Sequence, residues 1–174
     1  MGTINRPLRN AGQALMLSLC LAVGIGHPGE AGEIEDVYLY VAGEMALEKV
    51  PAPPVVYFVD KDALRAAFQE NIQPAFIRWK AQYGEDEARR AMHRYMQDLV
   101  GLFVSHSGAI YVDASLPPCR RRAALAHEFC HFFQHIMEGA INPDQYGADI
   151  LYMIREMRAY NLEHQYMAAY CAGP

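Results

Sequence analysis

The sequence predicts an α+β protein, and three observations carry that reading. Apolar residues recur at helical spacing in several segments, each long enough for three or more turns. Short β-rich runs occur at residues 55–59 and on either side of the turn-rich tetrad Ser105-His106-Ser107-Gly108. Prolines and glycines stand between these segments rather than within most of them.

Taken in order, residues 33–48 place Ile34, Val37, Tyr38, Val41 and Met45 at helical spacing, and Pro51, Pro53 and Pro54 end that helix because proline cannot continue it. The run 55–59 (Val-Val-Tyr-Phe-Val) reads as a buried strand. Asp60 and Asp62 then precede Ala63-Leu64-Arg65-Ala66-Ala67-Phe68-Gln69, a helix with a carboxylate cap. Residues 71–83 carry no decisive period, although Phe76 and Trp79 mark them as packed. Residues 85–99 form a helix with a charged face and with Ala88, Met92, Tyr95, Met96 and Leu99 on its apolar side. Residues 100–104 and 109–112 flank the tetrad as a hairpin. Pro117-Pro118 leads into a helix over about 119–138, stopped by Gly139. Asn142-Pro143-Asp144 reads as a turn, and a last helix spans about 145–169. No repeat or long linker divides the chain, so residues 27–174 are expected to form one domain.

Composition narrows the class. The chain has 174 residues, and 52% hydrophobic content is too apolar for intrinsic disorder. The N-terminus reads as an export signal: Arg6 and Arg9 precede a nearly uninterrupted apolar or small run over 11–26, without an acid. Small-residue cleavage patterns end at Gly24, Gly26 and Ala31, and residues 1–26 are taken as the signal peptide. Leu19 is too bulky for lipoprotein processing at Cys20. Removing this segment takes away two arginines and shifts the formal charge from −5 to −7. Such an acidic body, whose one basic run is Arg120-Arg121-Arg122, argues against nucleic acid and against an anionic membrane as partner. No stable membrane insertion is expected once the signal is gone. Three cysteines follow it: Cys119 and Cys171 lie at helix edges and can pair in an oxidising compartment, whereas Cys130 reads as a small buried hydrophobe.

The chemistry is concentrated in His127-Glu128-Phe129-Cys130-His131, an H-E-x-x-H string within a helix. Histidines at i and i+4 lie one turn apart on one face, so both imidazoles reach a single metal ion. Glu128 projects about a hundred degrees from His127 on the helical wheel, beside the metal's open position, where it can take a proton from water and pass it on. A third ligand is needed. His135 lies about 6 Å beyond His131 along the axis, too far for a compact tetrahedral site. Glu156 sits mid-way along the final helix, which the turn at 142–144 allows to fold back, and Ala159 permits close helix approach. Tyr160 and Glu163 continue the face of Glu156.

Together, His127-Glu128-x-x-His131 and Glu156-x-x-Ala159-Tyr160 resemble the gluzincin branch of the zincin metallopeptidases. The chain also resembles small exported bacterial zincin-like proteins with an H-E-x-x-H-x-x-Q stretch, here ending at Gln134. The resemblance covers residues 100–170. It implies a zincin-like fold, with the active-site helix and the glutamate helix packed on a small antiparallel or mixed sheet. It implies one catalytic Zn2+ on His127, His131 and Glu156, with Glu128 as general base and acid. It further implies that the hairpin over 100–112 binds the main chain of a peptide or protein substrate. An oxyanion stabiliser is also implied; Tyr160 and His164 are candidates, as are Tyr152, His135 and Arg155, and no spacing selects among them. The leading expectation is therefore an exported zinc peptidase. The alternative is a catalytically silent zinc-binding envelope protein acting as a binding or stress-response module.

Overall fold

The computed structural model describes residues 28–139 and 148–171. Among them the order is α1 (Pro28–Glu44), β1 (Val56–Val59), α2 (Lys61–Tyr83), α3 (Glu85–Asp98), β2 (Gly101–Val104), β3 (Ala109–Asp113), α4 (Pro118–Glu138) and α5 (Ala148–Tyr170). The α+β class is as expected: five helices and a small mixed sheet. The expected export signal over 1–26 and the expected turn at 142–144 lie outside the described residues. No helix among those described is long and apolar enough to cross a membrane.

The sheet has the order β1-β3-β2. β3 pairs parallel with β1 (Val56 opposite Ile110) and antiparallel with β2 (Phe103 opposite Ile110). The hairpin is closed by amides of Ser107 and Gly108 that both donate to the Val104 carbonyl, with Gly108 at φ 70°. A parallel β1–β3 pair requires a long crossover, which α2 and α3 provide. The hairpin expected over 100–112 forms as β2 and β3; β3 is the central strand, and β1 and β2 are the two edges, with β2 beside α4.

α1 begins at Pro28 rather than 33, and two further helix bounds differ from the sequence expectation for identifiable reasons. α1 ends at Glu44 rather than 48 because Ala46 turns left-handed (φ 53°), so that the Leu47 amide reaches the Ala42 carbonyl and the Ala46 amide reaches Gly43. That is a Schellman closure with alanine where glycine is the usual residue. α2 continues through the ambiguous 71–83 despite Pro74. Pro74 is exposed, so the carbonyl it leaves without a helical partner faces water. Asp60 caps α2 as expected, its Oδ1 accepting from the amides of Asp62 and Ala63.

The core forms where α1, α4, α5 and β3 meet. Ile110 and Val112 of β3, Val37 and Val41 of α1, and Leu125, Phe129 and Phe133 of α4 are buried in it. Tyr38 inserts between α1 and α4, its ring 5.2 Å from that of Phe129 and 5.0 Å from that of Phe133. On α5, Ala159, Leu162 and Tyr166 complete the cluster. Nearly every face of the middle of α4 is thus covered, and the polar groups it carries inward need partners.

Candidate metal centre

α4 and α5 run antiparallel. Near one end, Arg155 donates to the Glu138 carboxylate and the Gly139 carbonyl. At the other, Cys119 and Cys171 are joined as a disulfide, their Cα atoms 5.7 Å apart, a separation typical of such a bridge. Ala159, fully buried, lets the two axes come close between these ties. The pairing of Cys119 with Cys171 and the burial of Cys130 follow the sequence expectation.

This arrangement brings His127, His131 and Glu156 together. The two Nε2 atoms are 3.1 Å apart; Glu156 Oε1 lies 3.3 Å from His131 Nε2, and its Oε2 lies 3.6 Å from His127 Nε2. Donors held at 2.0–2.1 Å around a tetrahedral ion stand about 3.3 Å from one another; the imidazole pair and the His131–Oε1 pair lie near that spacing and His127 meets the other oxygen, so the cluster could hold a zinc-sized cation. Two imidazole nitrogens and a carboxylate are also the donor set such an ion accepts, and three donors leave a fourth position open. The residues present therefore fit a metal ion.

The rings are held from behind. His131 Nδ1 lies 3.0 Å from Gln134 Oε1. His127 Nδ1 is buried without an aligned hydrogen bond, and Glu163 Oε2 lies 3.3 Å away. Glu163 is itself buried and is approached by Arg120 at 3.7 Å. The ring of Tyr160 meets that of His127 edge-on, with centroids 4.7 Å apart.

The charges in the cluster adjust to one another. Burial presses the His127 pKa down, but the Glu156 and Glu163 carboxylates, with Glu128 adding its charge, raise it to about 10. Burial works to raise the pKa of Glu156, and the two histidines outweigh it, holding the group well below the usual carboxylate range. Glu128 behaves differently. Burial pushes its pKa up and Glu156 adds to the rise, while the charges of His127 and His131 and the Phe103 amide pull against it. A carboxyl with a raised pKa beside a metal-ligand cluster is suited to accept and return a proton. Its position is fixed by β2, where a Cβ on Gly101 would stand 2.6 Å from Glu128 Oε1.

The remaining candidates separate. Burial first, and the Glu156 carboxylate second, raise the pKa of both Tyr152 and Tyr160, so each stays a protonated O–H donor at neutral pH. They flank Glu156 one turn to either side. His164 is exposed and two turns, about 12 Å, beyond Glu156 along α5, so the structure does not bring it to the cluster. His135 packs near the Phe103 ring at 5.6 Å, outside the donor set, and Arg155 is engaged with the end of α4. The sequence reading missed the roles of Gln134 and Glu163. Spacing alone offered a signal for both: Gln134 follows His131 by three residues, and Glu163 follows Glu156 by seven. Comparison of the chain with protein-family models, with curated proteins and with solved structures finds no match.

Proposed function

We propose that this protein is an exported zinc-dependent peptidase of the gluzincin type, with a zincin-like fold reduced to one small domain. The observation that carries the reading is the pairing of a three-donor set at tetrahedral spacings with a buried carboxyl, Glu128, that is not part of that set. Purely structural zinc sites are usually closed by four protein ligands and have no use for such a group.

His127, His131 and Glu156 would hold the ion, which when bound supplies Lewis-acid polarisation of a carbonyl and an activated water. Glu128, buried and outside the donor set, would accept the proton of the attacking water and return it to the leaving amine. The β2 edge, which carries Gly101 over Glu128, offers main-chain groups to an extended peptide. Tyr160 and Tyr152, one turn to either side of Glu156, are the candidates to donate to a developing oxyanion.

The test compares wild type, Glu128→Gln and Glu156→Ala for zinc content and for hydrolysis of a broad peptide library. Glu128→Gln is expected to retain zinc and lose turnover, and Glu156→Ala to lose zinc. Full zinc retention in Glu156→Ala removes that ligand assignment. A zinc-loaded wild type that cleaves nothing in the library points instead to the silent zinc-binding module.

A further inference from the structure

Gln134 is 1% exposed, lies between α4 and α5, and belongs to neither the donor set nor the apolar core. Its Nε2 donates to the Arg155 carbonyl across the helix interface at 3.1 Å, and its Oε1 faces His131 Nδ1 at 3.0 Å. These two bonds are not independent. A backbone carbonyl only accepts, so the amide must turn its NH2 toward Arg155 and its oxygen toward His131. An oxygen acceptor at Nδ1 requires that Nδ1 carry the proton. The lone pair of the neutral imidazole is then on Nε2, the atom that faces Glu156 at 3.3 Å. Arg155 immediately precedes Glu156, so the same side chain that orients the second histidine also ties down the backbone beside the third ligand.

We infer that Gln134 is a positioning residue of the metal centre: α5 fixes the orientation of its amide, and the amide fixes the tautomer of His131 with Nε2 free for the ion. The inference rests on the metal-centre reading given above and extends it to a residue outside the donor set. A glutamine that merely filled space between two helices would have no need to present its oxygen to a histidine. An apolar side chain of equal length would fill the same space without the cost of burying an amide.

The experiment measures zinc affinity by competition with a chromophoric chelator, together with the His131 Nδ1–H proton resonance of the zinc form by NMR. Gln134→Met keeps the volume and loses both bonds. Gln134→Glu keeps an acceptor against His131 and loses the donor to Arg155. The expected result is that Gln134→Met weakens zinc by about ten- to a hundredfold and broadens the Nδ1–H resonance through solvent exchange, whereas Gln134→Glu stays within about threefold and keeps it. Zinc affinity in Gln134→Met within about twofold of wild type overturns the inference, and so does equal weakening in the two variants, which is what loss of an interhelix tie alone produces. Should Gln134→Met fail to fold, Gln134→Asn takes its place, since it keeps the amide but withdraws it by one methylene, and the same tenfold loss is expected. A wild type that binds no zinc is a separate outcome: it removes the metal centre itself, and the proposal with it.

Discussion

Gly101→Ala tests the link between sheet packing and chemistry. A Cβ built at Gly101 meets Glu128 Oε1 at 2.6 Å, Cγ at 2.8 Å and Cδ at 3.1 Å. Restoring ordinary contact at 3.4 Å displaces Oε1 by about 0.8 Å. The Glu128 side chain is buried and would meet the new methyl through Oε1, Cγ and Cδ, so either the side chain rotates or β2 lifts from α4. Overpacking of this kind costs about 1–3 kcal/mol. Against it stands a gain of about 0.4–1 kcal/mol from the smaller backbone entropy of alanine in the unfolded chain. The balance is a destabilisation of about 1–2 kcal/mol, or roughly 3–6 °C in Tm for a domain of this size. Zinc affinity should change little, because none of the three donors contacts the new methyl. On the proposed peptidase function, turnover should fall about a hundredfold, the usual consequence of misplacing a catalytic group by nearly 1 Å. Differential scanning calorimetry, chelator competition and peptide hydrolysis read these three quantities separately. A Gly101→Ala protein with wild-type Tm and wild-type turnover refutes the claim that β2 sets the position of Glu128.

Two further predictions concern stability. The Cys119–Cys171 bridge closes a loop spanning 52 positions, for which chain-entropy arguments give about 4 kcal/mol. Reduction, or Cys171→Ser, should therefore lower Tm by roughly 10 °C, and identical melting with and without reductant refutes the pairing. Asp113, buried at the end of β3, illustrates acid sensitivity. Burial tends to raise its pKa, and the Ser115 hydroxyl and amide together with Lys61 more than reverse that, leaving it below the ordinary 3.8. A depressed carboxyl contributes stability above its unfolded pKa and loses it as pH falls through the folded one. Asp113→Asn should cost about 1 kcal/mol at neutral pH and flatten the loss of stability below about pH 4. Parallel urea-denaturation profiles for the two proteins across that range exclude the role.

Much of the site was legible because its spacing is local. His127, Glu128 and His131 share one helix, where a fixed rise and rotation place side chains without knowledge of the rest of the fold. Glu156 was reachable for a related reason: a turn signal and a small residue, Ala159, imply a returning helix in close contact. The sheet was less legible. Residues 100–104 and 109–112 announce a hairpin, but the parallel pairing of Val56 with Ile110 depends on how α2 and α3 cross over, and no local pattern encodes that. The length of α2 was obscured by Pro74, whose cost as a helix interruption falls when the freed carbonyl faces water.

By itself, then, the sequence predicted most of the element types, the two histidines and glutamate of the motif, a candidate third donor in Glu156 and two cysteines, Cys119 and Cys171, able to pair. These follow from periodicity, from turn chemistry and from the antiparallel return of one helix upon another. Only the tertiary structure decided what stands behind the donors. Spacing puts Gln134 and Glu163 on the faces of the motif, but which atoms they meet appears only when α4 and α5 are packed, and Gly101 is one more residue of a strand run until β2 lies on Glu128. Periodicity can say which face of a helix a residue occupies. Which atom of another element meets it at 3 Å is a property of packing, where each position is set by the volumes of all its neighbours at once.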